Sequence, residues 1–151
     1  MLTQILFAIL STFGFGILFE IRGKNLFFSA LVGGISWATY LISLDLGAPL
    51  ILAYFISSVV LTLCSEILAR ILKTPVTSIL ISGLIPLVPG SGIYYTMYYI
   101  LEKNMEEAVF KGSETLFIAV ALSFGIVFVS SLVRIIKTGN KNRYSRIHKL
   151  K

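Results

Sequence analysis

Few residues in this chain have chemistry to offer, and most of them stand together in Pro86-Leu87-Val88-Pro89-Gly90-Ser91-Gly92, followed by Tyr94. Pro86 and Pro89 should break a helix, because each removes a backbone donor and its ring crowds the preceding turn. A second helix starting at Ser91 or Gly92 would leave its first N–H groups unpaired. Such a terminus carries an effective charge of about +0.5 and can hold a carboxylate without any charged side chain. Gly90 and Gly92 would let a ligand approach the backbone closely. Tyr94 and Tyr98 share one helix face and Tyr95 and Tyr99 the adjacent one, so either pair could orient a polar substrate. An interfacial aromatic belt is the competing reading for Tyr98 and Tyr99. Pro89, Gly90, Ser91, Gly92 and Tyr94 are thus the candidate substrate-binding residues, with Pro86 and Pro89 holding the break open.

Other chemistry is sparse. Cys64 is the one cysteine, which excludes an internal disulfide, and with His148 the one histidine, in the basic tail, no metal-spaced His cluster and no nucleophile with a base appears. The acidic residues fall at helix ends or between Glu102 and Glu114, without a paired-carboxylate arrangement. The expectation is a non-enzyme with no metal and no cofactor. Glu66 is the acidic residue nearest the interior of an apolar run. A helical ion pair with Arg70, four residues on, is its simpler explanation, and a proton-coupling role is the alternative.

The elements that must position these residues are membrane-spanning. Hydrophobic residues make up 56% of the 151-residue chain and the mean hydropathy is +0.90, too apolar for a soluble surface. Five runs are long enough to cross: approximately Leu2 to Phe19, Leu26 to Leu44, Ala48 to Leu68, Pro75 to Leu101 and Thr115 to Ile136. The expected fold is an all-α integral membrane protein of about five transmembrane helices, with the fourth broken at its Pro-Gly-Ser-Gly element. Residues 1–137 form the membrane domain and 138–151 a basic cytoplasmic tail, read as a flexible anchor near anionic headgroups. The stretch from Glu102 to Lys111 reads as a solvated connector or an extension of the fourth helix.

The net charge of +6 would suggest nucleic acid in a soluble protein, but its distribution points instead to orientation. With the N-terminus outside, all 13 basic residues except Lys103 and Lys111 fall on the cytoplasmic side. The expected topology is therefore N-out and C-in, with no nucleic-acid partner. No basic residue precedes the first run, which argues against a cleaved leader. Ala30, Gly34 and Ala38 recur every four residues and form a face for close helix packing.

Ile85-Pro86-Leu87-Val88-Pro89-Gly90 with Tyr94 and Met97 resembles the Ile-Pro-x-x-Pro-Gly-x-x-x-Tyr-x-x-Met element of the threonine/serine exporter family. Gly14, Phe15, Phe19, Gly33 and Ile35 add to the resemblance, which covers essentially the whole chain and is nearest to the small membrane subunit of the split, two-component members. The resemblance implies export of small carboxylate-bearing metabolites, threonine and serine or dicarboxylates such as succinate, from a prokaryotic inner or cytoplasmic membrane. It also implies a larger partner with a cytoplasmic segment and five membrane helices. Such a partner would end where this chain begins, giving two halves of opposite orientation. A non-transporting scaffold and a homo-oligomeric carrier or channel are the alternatives.

Overall fold

The computed structural model describes the backbone of residues 1–148 and side chains through residue 136. Among these residues every regular element is helical: α1 (Leu2–Leu18), α2 (Lys24–Asp45), α3 (Leu50–Leu72), α4 (Val76–Leu84), a single 3-10 turn at Ile85–Leu87, α5 (Gly90–Leu101) and α6 (Met105–His148). The helices follow the apolar runs because a backbone in hydrocarbon must satisfy its own hydrogen bonds.

Three helices are long and apolar enough to cross a membrane: α2, α3 and the Met105–Ile136 part of α6. A fourth crossing follows if α4 with its turn and α5 count as one bent span. α1 is apolar throughout but has 17 residues, short of the roughly 20 that a straight crossing takes. It ends where Glu20 adopts a left-handed φ of 57° and Gly23 one of 63°, which turn the chain back into α2.

The Glu102 to Lys111 stretch differs from its expectation. It neither extends the fourth run nor forms a long connector, since α6 already begins at Met105. Asn104 caps that helix, its Oδ1 accepting from Glu107 N–H at 3.4 Å. Glu106 and Glu107 then occupy the first turn, where negative charge suits the helix dipole. At the other end, α6 carries helical backbone to His148, into the stretch read as a flexible tail. Lys149, Leu150 and Lys151 lie outside the described residues.

α2 lies centrally, touching α1, α3 and α4, while α6 packs along α3 and carries α5 on its other contact. Val32, Leu61, Ile79, Leu87, Ile118 and Leu122 form the apolar core. Close approach comes from glycines facing hydroxyls. Gly33 of α2 lies against Thr12 of α1, and Gly125 of α6 against Ser58 and the Phe55 carbonyl of α3. The small-residue face packs as expected, with Ala30 buried and Gly34 against Ile9. Most of the buried hydroxyls close onto their own helix: Ser57 donates to Ala53 O, Thr62 to Ser58 O and Ser65 to Leu61 O. A cross-helix pair joins Ser29 and Ser82, oxygen to oxygen at 3.0 Å, and ties α2 to α4.

Gly125→Leu is accordingly expected to separate α3 from α6. A Cβ there overlaps the Ser58 hydroxyl and sits only 3.1 Å from the Phe55 carbonyl, so a leucine has no room between the helices, and overpacking of this kind costs about 1–3 kcal/mol. Thermal unfolding of the purified protein should show a clear fall for Gly125→Leu. Gly14→Ala, with open space around its Cβ position, should unfold as the wild type does.

Candidate functional site at the helix break

The chain breaks at Ile85–Pro89, and α4 with its 3-10 turn meets α5 at a 47° bend. Val88 is extended (φ −61°, ψ 128°), the conformation that a following proline imposes. Pro89 is the residue before α5, and Gly90 is its first residue, one ahead of the Ser91 or Gly92 start expected from sequence.

The hydrogen bonds account for what the break leaves open. Pro86 has no N–H for the Ser82 carbonyl, and Pro89 none for that of Ile85. Val88 N–H donates instead to Ile85 O at 3.2 Å, and Gly90 N–H folds back onto Val88 O at 2.7 Å. Ile93 N–H makes the first bond of α5, to Pro89 O at 3.2 Å. Ser91 and Gly92, in the first turn, therefore have N–H groups with no backbone acceptor among the described residues. Pro86 and Leu87 likewise receive no bond from α5. Two donors and two acceptors are thus concentrated within a single turn of chain.

The expected site residues divide into two groups around this point. Gly90 and Ser91 are exposed, with open space around Gly90. Tyr94 is 64% exposed and lies one turn beyond Gly90 on the same face. Its ring packs edge-on against Tyr95, centroids 5.3 Å apart. Gly92 instead faces α6, where a Cβ would overlap Thr115 Oγ1, so its missing side chain serves helix packing. Pro89 is buried and, with Val88, walls a groove of about 400 Å³ between α5 and α6. Met97 lines that groove also, whereas Tyr94 does not.

Glu66 stands apart from the break and borders neither of the cavities that flank it. Its carboxylate lies 3.6 Å from the Arg70 guanidinium, in the i to i+4 pair expected from sequence. The Glu66 side chain is 12% exposed against 53% for Arg70, so the pair is held by its acidic member. Among the described residues, no group of three His, Cys, Asp or Glu side chains is placed to hold a metal ion.

A profile of the family described as "Threonine/Serine exporter, ThrE" matches residues 4–132, which take in the described helices except the first two residues of α1 and the end of α6. The chain belongs to the threonine/serine exporter family. Its apolar helices make it a multi-pass membrane protein, and family membership points to transport rather than catalysis. No similarity to a curated protein was found, and none to a solved structure.

One residue beside the break escapes sequence reasoning. Trp37, inside the second apolar run, lines a cavity that also touches Pro86. Nothing in its spacing distinguishes it from a packing aromatic; only the folded chain shows that it lines the same cavity as Pro86.

Proposed function

We propose that this chain is the membrane subunit of a two-component exporter of small carboxylate-bearing metabolites, threonine and serine or dicarboxylates such as succinate. The observation that carries this reading is the break: unpaired Ser91 and Gly92 N–H groups at the start of α5, next to unbonded Pro86 and Leu87 carbonyls. A carboxylate fits the donors and an ammonium or hydroxyl the acceptors, as in transporters built on discontinuous helices. Pro89, Gly90, Ser91 and Gly92 supply the backbone, Tyr94 orients the solute, and Pro86 and Pro89 keep the turn from closing.

In this reading α1 and the bent α4–α5 pair are both spans, giving five crossings, N-out and C-in, in a prokaryotic cytoplasmic membrane. The support is the charge distribution, since the cytoplasmic side then collects Arg22, Lys24, Arg70, Lys73 and Arg134 together with the tail. A larger partner with a cytoplasmic segment and five helices completes the transporter. Support for a partner comes from α5, which has no buried residue and packs chiefly on α6. The two halves rock about the break to alternate access. Within this chain the group for a proton-coupled step is Glu66.

The test is efflux of threonine, serine and succinate from preloaded cells expressing this chain, the partner, or both. Export confined to the pair is expected. Export by this chain alone would make it a homo-oligomeric carrier, and no export in any combination would turn the break into a docking notch on a scaffold.

A further inference from the structure

Helix lengths and contacts fix how deep the break lies in the membrane. α6 carries no charged residue between Glu114 and Arg134. At about 1.5 Å per residue these two lie roughly 30 Å apart, the thickness of the hydrocarbon layer. The turns before Thr115 differ: they hold Glu106, Glu107, Lys111 and Glu114, the last two joined as an ion pair. Arg134 and Glu114 therefore mark the two edges of the layer, and the start of α6 stands beyond one of them.

Packing gives the same level. Gly125 of α6 lies against Ser58 and the Phe55 carbonyl of α3. α3 begins about two turns before that contact, at Leu50, whereas α6 begins more than five turns before it, at Met105. The start of α6 thus overhangs α3 by about 20 Å. α5 lies along this overhang, since Gly92 faces Thr115 and Gly112 faces Thr96. It starts at the level of Glu114 and runs outward, antiparallel to α6, with no buried residue and contacts chiefly to α6. The count along the chain agrees. α4, its 3-10 turn and the extended Val88 advance roughly 23 Å from Pro75, which carries the break into the last quarter of the layer. Gly90 and Ser91 are exposed there, and the Ser91 and Gly92 N–H groups have no backbone acceptor among the described residues. Lipid-exposed backbone in that condition does not persist inside hydrocarbon, whereas at the edge water completes it. Tyr94, Tyr95, Tyr98 and Tyr99 then stand at headgroup height, where tyrosine is enriched.

We propose that the anion-binding end of α5 opens to the water outside the membrane, with α5 and the first turns of α6 standing beyond the hydrocarbon as a helical hairpin. The inference rests on the transport reading, including its N-out orientation, and adds a side to the site. The conformation is outward-open, and a carboxylate held by the Ser91 and Gly92 N–H groups is at the point of leaving.

The experiment places single cysteines in a Cys64→Ala background of the full-length chain and treats right-side-out and inside-out vesicles with a membrane-impermeant maleimide. The reagent attacks the thiolate, so a cysteine in hydrocarbon does not react. Ser91→Cys at the break and Val109→Cys on the hairpin should label from the outer face alone. Phe124→Cys should label from neither, although Phe124 is 69% exposed against 71% for Val109, because it lies midway between Glu114 and Arg134. Full labelling of all three in denaturant shows that each variant is present in equal amount. Ser91→Cys labelled from the inner face, or from neither face, overturns the proposal whatever Val109→Cys does. Val109→Cys unlabelled from outside puts the hairpin within the hydrocarbon and overturns it as well. None of these results needs a solute, so the side of the site is decided apart from transport. Excess succinate, threonine or serine should slow the labelling of Ser91→Cys and leave that of Val109→Cys unchanged. Outer labelling of Ser91→Cys that no solute slows supports the outward opening and removes the carboxylate from the break.

Discussion

Gly90→Leu is expected to abolish export while leaving the chain in the membrane at wild-type amounts. Gly90 is the first residue of α5, exposed, and a Cβ built on it meets nothing within 4 Å. Its backbone does not occupy the left-handed region, so leucine, the better helix former, enters without strain. The fold therefore has no reason to fail. The function does, because an isobutyl group beside Ser91 and Gly92 keeps a carboxylate from reaching their N–H groups at the roughly 2.7–3.1 Å that stabilisation of an anion needs. Efflux from preloaded cells should fall at least about a hundredfold, the loss of two charge-assisted hydrogen bonds. The membrane fraction should hold as much protein as before. Gly92→Leu would also lose export, but by a different route, since its side chain is driven into Thr115 and separates α5 from α6. The two glycines are distinguished by their stability: Gly90→Leu should unfold at or above the wild-type temperature and Gly92→Leu below it. Normal export by Gly90→Leu would remove the start of α5 from the substrate path.

The difference between these glycines also marks what the sequence could and could not tell. Pro86 and Pro89 act locally, and a 3-10 turn and an extended Val88 separate α4 from α5 at these residues. Gly90 and Gly92 look alike in sequence, and only Thr115, more than twenty residues on, separates an open backbone from a packing contact. α2 and α3 keep close to their apolar runs, since composition sets their length, whereas α6 overruns the Thr115 to Ile136 run at both ends. The start of α6 was legible as well, in Asn104 followed by Glu107, a helix-start signature that the charge of the stretch disguised as a connector. Glu66 and Arg70 form the pair that their spacing suggests. Trp37 carries no such signal. Whether an indole N–H is desolvated depends on α1, α2 and the break converging, which is tertiary information that no local pattern holds.

Replacing both prolines, Pro86→Ala with Pro89→Ala, is expected to eliminate export while making the protein more stable. In an uninterrupted helix Gly90 N–H would bond the residue 86 carbonyl, Ser91 N–H that of Leu87, and Gly92 N–H that of Val88. Ser91 N–H and Leu87 O, both open at the break, would pair directly, while Gly92 N–H and the residue 86 carbonyl would find Val88 O and Gly90 N–H, which now bond each other. Each proline inside a helix costs about 3 kcal/mol against alanine. The alanines therefore favour closure, and with closure both the anion-binding donors and the neighbouring acceptors disappear. The run from Pro75 to Leu101 then becomes a single helix of 27 residues, roughly 40 Å long, which a bilayer of about 30 Å accommodates by tilt. Amide hydrogen exchange at Ser91 and Gly92 should slow markedly in the double variant, thermal unfolding should move upward, and efflux should drop to background. Each single variant should fall between the double variant and the wild type, because one proline still interrupts the ladder. If the amides become protected and export continues, the open backbone is not what binds the solute, and the bend at Ile85–Pro89 serves helix packing alone.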